Sequence, residues 1–129
     1  MVARIFLALS GLVWFPYGVY CFFSPGYLAD AAGIVSTTAT GNIELRAMYG
    51  GLQAGIGALA LAGALRPVWV RPVLFAGCFL FGGLAVTRLL AAIGTGEVSS
   101  YTAFGLCFEW TSTALALWLL RAGRASQSA

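Results

Sequence analysis

The chain has 129 residues, of which 60% are hydrophobic and only 9% charged, with a formal net charge of +3. A soluble domain carries about 25% charged residues and roughly 45–50% apolar ones, and disorder demands low hydrophobicity with high net charge. Glycines without a period, the absence of heptads and only three cysteines exclude collagen, coiled coil and a disulfide scaffold, which leaves an integral membrane protein.

A membrane-spanning helix needs ~20 mostly apolar residues. The first span is expected at 5–23, behind Arg4, with a kink at Pro16. It is read as a retained helix and not as a secretion signal, because its apolar run is too long and the stretch after Phe22 lacks a small-x-small cleavage site. Ser24-Pro25-Gly26 ends it. The loop 24–42 is long, which marks a lid or binding segment. Ser24 as cap, Pro25 in the first turn and Gly33 as stop predict a short helix over 25–32.

The second span is expected at about 43–65 and the third from Val68 or Pro72 to Ile93, joined by a tight turn bracketed by Arg66-Pro67 and Arg71-Pro72. Gly94-Thr95-Gly96 stops the third. Ser99 or Ser100 caps the fourth, at 101–120. Membrane strands would alternate polar and apolar residues. The runs 56–62 and 114–120 do not, and their Ala/Leu content favours helix. The expected fold is therefore all-α: one membrane domain over 1–129, built as a four-helix bundle.

Arg4, Arg66, Arg71, Arg121 and Arg124 fall on one side of such a bundle, while loops 24–42 and 94–100 hold no basic residue. The positive-inside rule then places both termini in the cytoplasm, in a multi-pass protein of the cell's inner (plasma) membrane. Cys21, Cys78 and Cys107 lie inside spans without CxxC spacing, and the chain has no histidine. They read as packing residues, and no metal site or cofactor is expected.

The remaining charges carry the interest. Glu44 and Arg46 stand at the head of the second span, Arg88 near the end of the third, and Glu109 ~12 Å into the fourth. A charge at that depth costs at least ~2.5–3.5 kcal/mol and needs a partner, water or a proton. On the fourth helix Thr102, Gly105, Glu109, Ser112, Thr113 and Ala116 share one face. On the second, Asn42, Arg46, Tyr49, Gly50, Gln53 and Gly57 form a comparable stripe. Opposite them, Glu44, Gly51, Gly55, Ala58 and Ala62 form a small-residue ladder expected to admit another helix. Arg46, Tyr49, Gln53, Arg88 and Glu109 are expected to converge in a polar region, with Arg88 and Glu109 as the ion pair. Trp14 and Tyr17 line the same region, on a stripe with Ser10 and Cys21. Glu44 reads either as part of that region or as an acid favoured by the helix N-terminus.

The stretch Glu44-Leu45-Arg46-Ala47-Met48-Tyr49-Gly50-Gly51, with Gly55, Arg88 and Glu109 in the helices that follow, resembles a bacterial family of small four-span membrane proteins known only as a domain of unknown function. The likeness covers roughly 5–120, and the architecture is loosely similar to DoxX-type four-helix membrane proteins. The resemblance implies the fold and that these charged residues act together. It implies no reaction.

The leading functional expectation is an intramembrane pocket, open outward, that binds or processes a small lipophilic or amphiphilic molecule. Arg46, Tyr49, Gln53, Arg88, Glu109, Glu44, Trp14 and Tyr17 are its candidate ligand-binding residues. Glu109 is the candidate acid/base if chemistry occurs there. A structural or accessory subunit of a larger membrane complex is one alternative, and a small proton-coupled transporter is the other. Expected partners are membrane lipids, a lipophilic small molecule, and a second copy or larger membrane complex. Nucleic acid is not among them, since the basic residues are sparse and tied to topology.

Overall fold

The computed structural model describes residues 1–125, with side chains described as far as Gly123. Arg124, counted above among the arginines that set topology, has a side chain outside that range. The class is all-α, with no strand among the described residues. Among the described residues four helical stretches are long and apolar enough to cross a membrane: Val2–Phe23, Ala39–Leu65, Pro67–Thr95 and Ser100–Gly123.

The elements run α1 (Val2–Phe23), α2 (Tyr27–Ala32), α3 (Ala39–Leu45), a π-helical turn (Arg46–Gly51), α4 (Leu52–Leu65), a 3₁₀ turn (Pro67–Trp69), α5 (Val70–Thr95) and α6 (Ser100–Ala125). They form two compact units, one of Met1 with Ala3–Trp69, the other of Val70 onward with Val2.

In the first unit, α1 continues unbroken across Pro16. Its buried residues Leu7, Ser10, Gly11, Trp14, Gly18 and Cys21 recur at steps of three and four, one stripe of the helix. The expected short helix exists but starts later than its predicted cap. Ser24 makes no side-chain cap; the carbonyls of Ser24, Pro25 and Gly26 accept from Tyr27, Leu28 and Ala29 instead, so Pro25-Gly26 is turn and α2 begins at Tyr27. Gly33 stops it, as expected, at φ +68°, where a side chain would be strained. α3 starts earlier than the hydropathy suggested, at Ala39, because the Thr38 hydroxyl caps it by accepting from the Gly41 N–H at 3.0 Å.

The second span is not one uniform α-helix. From Arg46 to Gly51 it widens into a π turn, and the Leu52 N–H reaches back to the Ala47 carbonyl. Such turns are rare and cluster at functional sites. The sequence signal behind this one is Gly50-Gly51, a pair that weakens the α-helical preference.

Packing in this unit corrects one expectation. The ladder Gly51, Gly55 and Ala58 does not receive the neighbouring helix: all three are exposed, and a Cβ on Gly55 would meet nothing within 4 Å. α1 lies instead on the polar stripe, over Gly50 and Gly57. A Cβ on Gly57 would stand 2.2 Å from the Phe15 nitrogen; one on Gly18 would stand 2.2 Å from that of Ala54. Glycine on both helices lets the backbones touch, which is how apolar helices gain packing energy without a hydrophobic drive.

In the second unit, Pro72 sits in the first turn of α5, as expected. Thr95 ends α5, followed by Gly96 at φ +72°. Ser99 caps α6 by accepting from the Thr102 N–H at 3.2 Å. Val73, Leu74, Gly77, Phe81, Ala85 and Ala92 form the buried stripe of α5, and Arg88 falls on the same stripe by spacing. On α6 the buried residues among those described are Glu109, Ser112, Thr113 and Ala116, on the face expected from the sequence.

Candidate functional site

Glu109 is only 2% exposed, among the most completely buried large side chains in the protein. It is held there by one partner. Arg88 Nη2 donates to Glu109 Oε1 at 2.7 Å, and Nε donates to Oε2 at 3.0 Å and Oε1 at 3.2 Å. One edge of the guanidinium thus grips both carboxylate oxygens, the fork geometry that lysine does not offer. A lone ion at this depth is costly, whereas a bidentate pair is net neutral and leaves both carboxylate oxygens hydrogen-bonded.

The local sequence makes room for this grip. Gly105 lies one turn before Glu109, and a Cβ there would stand 3.0 Å from Cζ and Nε of Arg88. Glycine lets the arginine lie flat against α6. The Arg88 guanidinium also sits 5.9 Å from the Tyr101 ring centroid, within cation–π range. One turn after Glu109, the Thr113 hydroxyl donates back to the Glu109 carbonyl at 2.8 Å. The Thr113 methyl would meet a Cβ on Gly82 at 3.4 Å, which marks how closely α5 and α6 approach. The pair is asymmetric: the Arg88 side chain is 28% exposed against 2% for its partner.

In the first unit, Arg46 does not face a carboxylate. Its Nε donates to Asn42 Oδ1 at 2.8 Å, its Nη1 donates to the Phe22 carbonyl, and its guanidinium lies 5.7 Å from the Phe22 ring centroid. Phe22 belongs to the last turn of α1, which has no basic residue of its own. Arg46 therefore caps the negative end of that helix. The opposite end of the pair is built the same way. Arg4 Nε donates to the Ala64 carbonyl at 2.7 Å, at the end of α4, which also lacks a basic residue in its last turn. Each antiparallel helix thus caps the other with an arginine from its own N-terminal part. Sequence reasoning missed this reciprocity, because it links residues 60 apart for Arg4 and 24 apart for Arg46.

The other expected site residues fall as follows. Trp14 is buried and Tyr17 half-buried, with the Tyr17 ring 6.5 Å from Tyr27 of α2 and edge-on to it. Tyr49 is half-buried within the π turn. Gln53 follows that turn, and its side-chain oxygen is buried with no hydrogen-bond partner among the described residues, a demand for a donor. Glu44 is exposed and forms no salt bridge among the described residues. The structure brings together Arg88 with Glu109, Arg46 with Asn42 and Phe22, and Tyr17 with Tyr27. The seat at Gly105 and the ring of Tyr101 were not singled out as partners of Arg88, although the spacing of four between Gly105 and Glu109 was the available signal. Among the described residues no group of three or more His, Cys, Asp or Glu could hold a metal ion.

No curated protein and no solved structure matches the chain. A family model matches residues 2–120, nearly the whole length and all four apolar helices: the chain belongs to the DUF4345 family, a domain of unknown function.

Proposed function

We propose that this membrane protein binds the polar head of a small lipophilic or amphiphilic molecule at the Arg88–Glu109 pair. The asymmetry of that pair is the observation that carries the reading. The carboxylate is sequestered at 2% exposure while the guanidinium retains 28%, so the arginine stays accessible to a ligand that cannot reach its partner. Glu109 fixes one edge of Arg88, Gly105 gives it a flat seat, and Tyr101 supplies an aromatic wall. An anionic or carbonyl-bearing head suits such a guanidinium, and the apolar residues around it suit an alkyl tail. If a reaction follows binding, Glu109 is the group to hold or release the proton.

The test is binding of laurate, with dodecanol as an uncharged control, to the protein in nanodiscs. Arg88→Lys keeps the charge but loses the fork. Laurate affinity is expected to fall about tenfold, the loss of one charge-assisted hydrogen bond, while dodecanol binding holds. Unchanged laurate binding in a folded Arg88→Lys protein contradicts the proposal.

A second reading, as an accessory subunit, draws on the exposed Gly51, Gly55 and Ala58 ladder, where a foreign helix would find backbone within reach. Co-purification of a stoichiometric membrane partner, lost in Gly55→Leu, supports that reading over the first. The arginine distribution supports cytoplasmic termini in an inner membrane. A green fluorescent protein fused to the C-terminus would fluoresce in that arrangement and stay dark in the opposite one.

A further inference from the structure

We propose a second site, at the far end of the α5–α6 pair from Glu97, that binds an anionic phospholipid. Arg71 and Arg121 hold the phosphate, and an acyl chain lies in the apolar groove beneath them. The groove has a volume of about 670 Å³, and both arginines line it. Arg71 is the second residue of α5 and Arg121 lies near the end of α6, so the antiparallel pair brings them to one end. Arg71 lies across α6 there: its Nη1 is 3.8 Å from where a Cβ on Gly123 would be.

Charge argues for an anion. Neither guanidinium forms a salt bridge with a carboxylate among the described residues. Among the described residues of this unit the acidic side chains are Glu109, which Arg88 occupies, and Glu97, which lies beyond the opposite end of α5. Two cations that form no salt bridge among the described residues are ready to receive a phosphate, for which the guanidinium fork is well matched.

Shape argues that the anion brings a tail. Deeper along the helices the lining turns apolar: Phe75, Phe79, Leu117 and Leu120. Phe79 stands two turns beyond Arg71, ~12 Å along the axis. The Phe75 and Phe79 rings meet edge to face at 5.1 Å and form one wall, and they are 60% and 67% exposed. Topology alone needs only positive charge near a membrane surface. A basic mouth over an apolar furrow between two helices is the form that holds an anionic lipid in place.

The experiment is native mass spectrometry of the full chain released from nanodiscs containing equal phosphatidylglycerol and phosphatidylcholine. Phosphatidylglycerol is expected to stay bound preferentially. Arg71→Gln with Arg121→Gln lowers that retention about tenfold, whereas Arg66→Gln, which removes a charge outside the groove, leaves it. Cys78→Trp keeps both arginines and fills the groove wall, and it lowers retention as well, so the proposal stays testable even if the double variant fails to fold. Inorganic phosphate alone does not displace the lipid. Equal retention of the two lipids, an equal loss in Arg66→Gln, full retention in Cys78→Trp, or displacement by inorganic phosphate each overturns the proposal.

Discussion

The two units solve one problem by opposite means. Water is absent from the bilayer core, so helices there gain nothing from hiding apolar surface and must be joined by contact or by polar bonds. Residues 3–69 use contact. Gly18 and Gly57 admit a neighbouring backbone, and the arginines at positions 4 and 46 fasten the two ends by capping the opposite helix. From Val70 onward a side-chain bond is added inside the helix pair, between Arg88 and Glu109. The first arrangement spends its charges at helix ends, where the backbone itself supplies the counter-charge. The second buries an acidic side chain inside the helix pair, which is a costly way to join two helices that glycine could have joined. That contrast is why the Arg88–Glu109 pair is read as a site and the glycine contact as scaffold.

The sharpest way to break the contrast is to remove one partner of the buried pair. Arg88→Ala leaves an uncompensated carboxylate, and a loss of roughly 3–5 kcal/mol is expected, measured by unfolding in mixed detergent. A change below ~1 kcal/mol would mean that the pair adds no more than an exposed salt bridge does. Next comes the backbone contact. Gly57→Val puts a branched side chain where Phe15 backbone stands, and a loss at or above the usual overpacking range of ~1–3 kcal/mol is expected in the same assay. A smaller effect follows at the caps: Arg4→Gln removes a charged donor from the Ala64 carbonyl, with ~0.5–1 kcal/mol expected near an exposed helix end. The smallest is Gly55→Ala, whose added Cβ meets nothing; helix propensity makes it neutral to stabilising by up to ~1 kcal/mol. A loss there instead would show that the exposed ladder packs against a partner.

Much of this could be read from the residues alone. The four apolar stretches announce themselves by hydropathy, and the face of α6 that carries Glu109, Ser112, Thr113 and Ala116 follows from steps of three and four. The Arg88–Glu109 pair was legible because two opposite charges at similar depth have few other ways to be stable. The glycine contact was not. Gly51-Gly55 and Gly50-Ala54-Gly57 are adjacent rows with the same small-residue character, and spacing cannot choose between them. What chooses is Arg46: it shares a face with Gly50 and Gly57 and reaches the end of α1, so the helix that needs capping is drawn to that side. The π turn was equally hidden, because two glycines permit the extra residue without requiring it. The start of α2 depends on whether Ser24 offers its hydroxyl or its carbonyl, which sequence leaves open.

Arg88 and Glu109 are proposed to be more than a clasp. Replacing both at once, Arg88→Gln with Glu109→Gln, removes the charges together and leaves no orphaned ion, so the fold is expected to persist. Laurate binding to that double variant in nanodiscs is the deciding measurement. Affinity is expected to fall at least about tenfold while helix content and unfolding midpoint stay near those of the parent. Parental laurate affinity in the folded double variant would contradict the proposal and leave the pair as a structural bridge alone.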